Sequence, residues 1–291
     1  MKELMIFLTG LAFAVNVCAQ NNYQEEQPFK EKFLLELNYS FLDADLKLLT
    51  MTKHSLWDGQ DFGTLELDQD EIDSLNSFVD YKDLLHGLSL AAGMVLLDKP
   101  GNKWYIEGHL TIGLTRREYT VINNKSKTTD LIINSENISP WYGIGFNFRY
   151  HFDAKWGLAL SPHTVYSFGT TKAIDDNLNP VVEFMDETRK NTFDLSYTWV
   201  NLLASFAHKK FTIMAGPGFY LCYSRNEYNI VRTQQEDGQT YEDTVISTLK
   251  SGTFINGSIQ FDWRFNDHFL FSAGAGLSND ISATARIVYF L

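Results

Sequence analysis

The feature that most constrains how this chain folds is a two-residue alternation of apolar and polar side chains. In Trp141–Phe152, WYGIGFNFRYHF, every even-numbered residue is isoleucine, phenylalanine or tyrosine, whereas the odd-numbered residues after Trp141 are glycine, asparagine, arginine and histidine. Successive side chains of a β-strand point to opposite sides. The stretch therefore predicts a strand with one apolar face and one polar face.

The same alternation recurs along the chain and predicts about ten strands. They begin near residues 33, 84, 104, 141, 156, 193, 211, 255, 269 and 281. In the 193–208 segment the apolar residues change from odd-numbered to even-numbered positions, and we expect a β-bulge near Trp199 to cause this slip. No helical period separates the strands.

Short polar turns alternate with long connections between these strands. The short turns are 98–103, 153–155, 208–210 and 266–267, and the long connections are 42–82, 122–137, 171–191 and 232–250, with one short exception at 278–280. Hairpin connections of this kind indicate an antiparallel meander. All the long loops are then expected to leave from one end.

The first residues have the features of a secretory leader. Lys2 precedes an apolar run, and Val17 and Ala19 fit cleavage after Ala19. We therefore expect a signal peptide at 1–19, a short tail at 20–30 and one folded domain at 31–291. Cys18 alternatively suggests a lipoprotein signal. The mature chain keeps one cysteine, Cys222, so we expect no internal disulfide.

Charge and hydropathy narrow the range of partners and of folds. A net charge of −12 argues against nucleic acid as a partner, because phosphate-binding surfaces need clustered lysine and arginine. After the leader, no apolar run reaches the roughly 20 residues of a membrane helix. The strands of a membrane β-barrel, however, hide their lipid-facing side chains in an alternating pattern.

The outward face of the strands distinguishes a soluble barrel of the lipocalin type from a membrane barrel. Lysine is missing from every predicted strand after residue 104, although strands that face water use it freely. The runs also match the roughly 9–11 residues of a membrane strand. Aromatic residues gather beside the short turns, as in the girdles of membrane barrels: Trp104, Tyr150, Phe152, Trp156, Phe211, Trp263, Phe265 and Phe269.

The last residues, ARIVYFL, also favour the membrane barrel. A final strand with apolar residues at the last and third-last positions, here Leu291 and Tyr289, resembles the assembly signal of bacterial outer-membrane barrels. Here the usual terminal phenylalanine is leucine, and the usual glycine is Arg286.

The chain as a whole resembles the small bacterial outer-membrane β-barrel proteins of the OmpA/OmpX type, extended to ten strands as in the omptin proteases and some adhesins. The resemblance covers roughly residues 30–291 and includes no family-specific functional motif. It implies an all-β fold, a closed antiparallel up-and-down transmembrane β-barrel of about ten strands, with 8 or 12 as alternatives. It further implies periplasmic termini and extracellular long loops in a Gram-negative bacterium. The expected partners are outer-membrane lipid, lipopolysaccharide, the barrel-assembly machinery and an extracellular ligand.

The polar face of the strands predicts a charge network in the lumen. Its predicted members are Glu36, Glu107, Arg117, Arg149, Asp262, Arg264 and Arg286. Side chains fill barrels of this size, so we expect paired charges that close the lumen; a small charged pore is the alternative. His109, His151, His163 and Cys222 also point inward by their position, and we expect neither a metal nor a cofactor.

The first long connection is strongly acidic. Residues 42–80 contain ten acids against Lys47 and Lys53, and the DQDEID segment offers a possible cation-binding loop at Asp68, Asp70, Glu71 and Asp73. The segment lacks the glycine and distal glutamate of an EF-hand. A solvated acidic loop is the simpler interpretation.

Three functions remain open at this point. The first is a non-enzymatic outer-membrane barrel with a mostly closed lumen and acidic extracellular loops that contact surface ligands or cations bound to lipopolysaccharide. The second is a narrow channel for small solutes. The third is a hydrolase at the outer rim that uses His54, Ser55 and Asp58, which lie close together in the first connection.

Overall fold

The computed structural model describes residues 33–98, 103–135, 138–176, 185–251, 255–277 and 281–291. The predicted signal peptide, the 20–30 tail and the 278–280 connection lie outside these residues. No helix in the described part is sufficiently long and apolar to span a bilayer.

The described residues form thirteen strands and one helix. In chain order these are β1 (Phe33–Trp57), β2 (Gln60–Glu66), α1 (Gln69–Phe78), β3 (Val79–Asp98), β4 (Trp104–Asn123), β5 (Thr128–Ser135), β6 (Ser139–His151), β7 (Trp156–Asp176), β8 (Met185–His208), β9 (Phe211–Gln234), β10 (Thr240–Ser251), β11 (Ile255–Arg264), β12 (Phe269–Leu277) and β13 (Ile281–Phe290).

Ten of these strands pair into a closed antiparallel ring. The order is β1–β3–β4–β6–β7–β8–β9–β11–β12–β13, and β13 pairs again with β1 through Leu34↔Phe290 to Asp43↔Ile281. The predicted up-and-down barrel of about ten strands is confirmed. It has the architecture of a small outer-membrane β-barrel.

A second, narrower ring of strands continues from the long-connection end of the first ring. Beyond the long-connection end of β12 and β13, β10 pairs with both β9 and β1, and β5 pairs with both β4 and β7. Eight strands therefore close the upper ring: β1, β3, β4, β5, β7, β8, β9 and β10. We call the ten-strand part the lower barrel and the eight-strand part the upper barrel.

Strand polarity inverts between the two barrels. On β4 the outward residues Leu110, Ile112 and Leu114 are 55–65% exposed, and they are followed on the same face by the exposed Arg116 and Glu118. Strand β1 shows the matching change inside, from the polar inward residues Glu36, Asn38 and Ser40 to the buried apolar residues Leu42, Ala44, Leu46 and Leu48. The lower barrel is thus apolar outside, and the upper barrel is apolar inside.

This inversion corrects the prediction of a β-bulge near Trp199. The pairing of β7 with β8 runs without a register shift from Trp156↔Phe206 to Thr171↔Asn191. The side chains of β8 keep their direction, but the apolar residues move from the inner face in the upper barrel to the outer face in the lower barrel. The change of phase in the sequence reflects a change of surroundings.

The long connections are also more ordered than predicted. Much of 42–82, 122–137, 171–191 and 232–250 consists of strand ends, β2, α1 and the β4–β5 and β9–β10 hairpins. Lys172, Lys190 and Lys250, which we expected in loops, lie in these upper strand ends. The prediction assumed that a strand has one apolar face along its whole length, and it therefore ended each strand where its polarity inverts.

Aromatic rings border the apolar belt of the lower barrel at both edges. At the short-turn edge, Trp104 lies 4.8 Å from Tyr150, and Trp263 lies 4.1 Å from Phe265, between ring centroids. The opposite edge carries a second group of exposed aromatic residues, which the sequence analysis placed on the apolar face without predicting a second girdle: Tyr39, Tyr142, Tyr166 and Tyr223. Two such girdles are typical of the lipid-facing band of outer-membrane barrels.

Candidate functional site in the barrel lumen

Apolar residues close the lumen at the short-turn end and again in the upper barrel. At the short-turn end Leu34, Leu270, Val288 and Phe290 form one buried cluster, and Ala159, Leu203 and Met214 form another. The upper barrel is filled by a larger core that includes Leu46, Tyr119, Phe193, Leu249 and, from helix α1, Ile72. Polar and charged residues lie between these apolar layers.

Five of the seven predicted charges meet in the lower lumen: Glu36, Glu107, Arg149, Asp262 and Arg286, which we call the lumen network. Arg149 donates to Asp262 at 3.1 Å, and Arg286 lies 3.7 Å from a carboxylate oxygen of Glu36. Glu107 accepts hydrogen bonds from the Tyr105 hydroxyl at 2.6 Å and the Asn147 amide at 2.8 Å. All three carboxylates are at least nine-tenths buried.

A row of aligned residues crosses four neighbouring strands above the network. His109 on β4 and His163 on β7 are both paired with Gly145 on β6, and Trp199 on β8 is paired with His163. Because Gly145 has no side chain, Nε2 of His109 reaches to 3.2 Å from Nδ1 of His163. The ring of Trp199 stacks on His163, with 4.9 Å between centroids and 9° between planes.

A cavity of about 140 Å³ occupies the middle of the lumen. Its wall includes Glu36 and Arg286 at the network, His109 and His163 at the side, and Trp141 and Tyr197 toward the upper core. Drug-sized ligands occupy pockets of at least about 300 Å³. The cavity is therefore of a size for an ion or a very small solute.

The predicted network member Arg117 lies in the upper barrel, apart from the other charges. Its guanidinium donates to Asp83 at 2.7 Å, to Asn226 at 2.7 Å and to Ser224 at 2.8 Å, and it lies 4.6 Å from the Phe193 ring centroid. Arg117 and Asp83 are both almost completely buried. The sequence analysis missed Asp83, because this residue lies between the predicted connection 42–82 and the strand predicted to begin near residue 84.

The remaining predicted inward residues lie apart from the network. Arg264 is at the short-turn end, where it donates to the carbonyl oxygens of Asn266 and Asp267 at 3.3 Å. His151 is half-buried at the end of β6, and Cys222 is fully buried in the upper core. The histidine row thus joins two of the three histidines that the sequence placed inside.

A further ion cluster lies in the upper barrel, where sequence reasoning expected loops. Glu187 on β8 accepts from Arg189 and, at 2.9 Å, from Arg232 on β9. Burial favours a raised pKa for Glu187, but the hydrogen bonds from Arg189 and Arg232 outweigh it and hold the pKa below its ordinary value. The presence of both acidic and basic residues within 185–190 and within 227–232 was the available signal in the sequence.

The acids proposed for cation binding lie around the first turn of helix α1. Asp68 accepts from the backbone N–H of Glu71 at 2.9 Å, and Glu71 accepts from the backbone N–H of Asp68 at 2.9 Å. This reciprocal pair is a capping box. Asp73 accepts from Gln69, and Asp70 lies in the same first turn, so the structure gives these acids a role in the helix start.

The structure separates His54, Ser55 and Asp58. His54 and Ser55 are neighbours on β1, so their side chains point to opposite faces. His54 contacts Asp61 at 3.0 Å, whereas Ser55 donates to Asp243 at 2.6 Å. The backbone N–H of Gly63, with His54, holds the pKa of Asp61 below its ordinary value. His54 and Ser55 therefore do not make the base-to-nucleophile contact of a serine hydrolase.

No protein-family model and no curated protein matches the chain. Among solved structures, the translocator domain of the autotransporter NalP from Neisseria meningitidis is 9% identical and has a TM-score of 0.40, over 99% of this chain and 96% of that one. The transport unit of the autotransporter AIDA-I from Escherichia coli is 10% identical with a TM-score of 0.38, over 97% of each chain. The outer membrane protease OmpT from Escherichia coli is 9% identical with a TM-score of 0.35, over 88% and 97%.

Proposed function

We propose that this protein is an integral outer-membrane barrel with a closed lumen, and that its upper barrel stands outside the cell as a surface for interactions. The inversion of polarity along the strands carries this proposal. Apolar side chains exposed around the whole lower barrel are stable in acyl chains, whereas the upper barrel has the polar exterior of a water-soluble protein.

The layered filling of the lumen supports the closed state. The apolar cluster at the short-turn end, the lumen network, the Arg117–Asp83 pair and the upper core all lie across the path of a solute. Buried charges need partners, and these pairs supply them within the barrel. An ion crossing the barrel would have to displace several such layers.

The β1–β2 hairpin is the most prominent feature of the proposed outer surface. Trp57, Phe62 and Leu65 are 46–68% exposed there, and among the described strands β2 pairs with β1 alone. Exposed apolar residues on an edge strand are typical of interaction sites. The surrounding acids favour a cationic partner, either an extracellular ligand or the cations that bridge lipopolysaccharide.

Fractionation and heat-dependent gel migration test the placement in the membrane. The protein is expected in the outer-membrane fraction, and a folded barrel migrates differently when the sample is not boiled. An epitope inserted at Gly59 should be detected on intact cells, whereas one inserted at Ala154, in a short turn, should not. Recovery in the soluble periplasmic fraction would contradict the proposal.

The polar-walled cavity favours one second candidate, a narrow channel for small solutes. Recordings in planar bilayers separate the two functions, because a closed barrel gives no unitary steps at ordinary voltages. Steps that disappear when Arg149 is replaced would identify the lumen network as the constriction of a channel.

A further inference from the structure

We propose that Glu36, Glu107 and His109 bind one divalent transition-metal ion, such as Zn²⁺, inside the lumen. One ligand atom from each of these residues lies within 4.8 Å of the other two. All three side chains are more than nine-tenths buried. One imidazole and two carboxylates are ligands that zinc and its neighbours in the first transition series accept.

The charges of the lumen network are unbalanced, and this is the first argument for a cation. The contacts of the described residues bring two guanidinium groups, of Arg149 and Arg286, to three carboxylates. Asp262 forms an ion pair with Arg149, and Glu36 forms one with Arg286 at the longer distance of 3.7 Å. Glu107 accepts hydrogen bonds from the neutral donors Tyr105 and Asn147, and no guanidinium of the described residues lies within ion-pair distance of it. Three buried carboxylates that share two guanidinium groups favour a further cation, because buried charge needs compensation.

Unpartnered buried atoms give a second, independent argument. Among the described residues, neither Oε1 of Glu36 nor Nδ1 of His109 has a hydrogen-bond partner, and both atoms are shielded from solvent. Nδ1 of His109 lies 3.8 Å from Oε1 of Glu107, which is too far for a hydrogen bond. Zinc ligands about 2.0–2.1 Å from the metal lie roughly 3–4 Å from one another. A contraction of about 1 Å would complete the site.

The neighbouring strands supply the space and the orientation that a metal site needs. Small inward residues on β3, Ala91 and Gly93, separate Glu36 on β1 from Glu107 and His109 on β4. On the other side, His163 holds Nε2 of His109 at 3.2 Å. When Nε2 donates its proton to His163, Nδ1 carries the lone pair that binds the metal, and a ligating histidine commonly has such an outer partner.

The sequence alone does not reveal this site, because its ligands come from two strands that are not neighbours. The cavity next to Glu36 and His109 leaves room for a further ligand, such as water. The site would link β1 to β4 across β3 inside the barrel.

Metal retention by the refolded full-length barrel tests the proposal. The protein, carrying a tag without histidine, is refolded in detergent with Co²⁺ or Zn²⁺ and washed with EDTA, and the metal per chain is measured by mass spectrometry. We expect one ion per wild-type chain. Glu36→Gln and His109→Gln should each retain at least about tenfold less, and His163→Ala should bind about 10–100-fold more weakly as an outer-shell variant.

His86→Gln is the matched control, because His86 lies on the outer face of β3 and contacts Tyr39. Retention by Glu36→Gln and His109→Gln at the wild-type level, or equal loss in His86→Gln, would overturn the proposal. Heat-dependent migration shows which variants are folded.

X-ray absorption of the wild-type zinc barrel needs no variant: one imidazole among oxygen ligands is expected. Several imidazoles, or no bound metal, would refute the site.

Discussion

At the scale of single residues, the lumen depends on where side chains are absent. A Cβ at Gly145 would lie 2.2 Å from Nδ1 of His163 and 2.4 Å from Nε2 of His109. Contacts below 3.0 Å force the neighbouring atoms to move. At Gly145 the imidazole rings of His109 and His163 would have to move apart, which would break the contact between them. Gly145 thus lets β4 and β7 meet across β6.

Gly145→Ala is therefore expected to destabilise the barrel by about 1–3 kcal/mol, the usual effect of overpacking. The measurement is the urea midpoint of the barrel in lipid vesicles, followed by tryptophan fluorescence. Gly257→Ala is the control, since a Cβ there meets nothing closer than 3.9 Å. Equal midpoints for the two variants would show that the histidines do not need this space.

The Arg117–Asp83 pair is a second residue-scale feature with a clear expectation. Arg117→Met leaves Asp83 charged and buried, and removing one partner of such a pair costs about 3–5 kcal/mol. The double variant Arg117→Met, Asp83→Asn should recover most of that loss. A double-mutant cycle on urea midpoints measures the coupling, and strictly additive effects would contradict the pairing.

At the scale of elements, alternation predicted the lower barrel well. The ten ring strands, their antiparallel order and the short turns all follow from side chains that keep one polarity while they face lipid. The upper barrel was not predictable in the same way, because there the apolar residues of β1 and β8 face inward. The sequence pattern therefore predicts a loop or a bulge at the point where the polarity of the strand inverts.

Of the lumen, the sequence predicted which residues point inward and not which of them touch. Parity identified Glu36, Glu107 and Arg149 from the alternation alone. The alternation does not predict the contact between His109 and His163, because that contact depends on the register of β4, β6 and β7 at Gly145. Register between strands that are distant in sequence has no local signal.

Two arginine substitutions on one face of β4 test the inversion at this scale. Leu110→Arg puts a charge into the apolar belt and should destabilise the barrel by about 2–4 kcal/mol. Glu118→Arg changes an exposed outward residue eight positions further along, and the effect should stay within about 0.5 kcal/mol. Urea titration in vesicles measures both, and similar losses would contradict the proposed membrane boundary.

Helix α1 gives a prediction about its acidic first turn. Asp68→Ala removes the capping box and should destabilise the helix by about 1 kcal/mol. Hydrogen exchange of residues 69–78 should then be roughly fivefold faster, whereas Asp70→Asn should have a smaller effect. Unchanged exchange in Asp68→Ala would contradict the role of Asp68 in capping the helix.

At the scale of the whole molecule, two barrels with opposite polarity share six strands: β1, β3, β4, β7, β8 and β9. The lower barrel is stabilised by lipid outside and by paired polar groups inside. The upper barrel is stabilised by an apolar core that helix α1 helps to cover. The β1–β2 hairpin lies on the upper barrel, apart from the apolar belt of the lower barrel, as the proposed interaction surface requires.

Spin labels at positions 112 and 118 of β4 measure which part of the outer surface faces lipid and which part faces water. The two residues lie on the same outward face, and a protein produced from residue 20 onward in a Cys222→Ala background carries one thiol per chain, at the labelled position. In lipid vesicles, oxygen should increase the relaxation rate of the label at 112 more strongly, whereas a water-soluble nickel chelate should increase that of the label at 118 more strongly. Equal access of the nickel chelate to both labels would contradict the inside-out lower barrel.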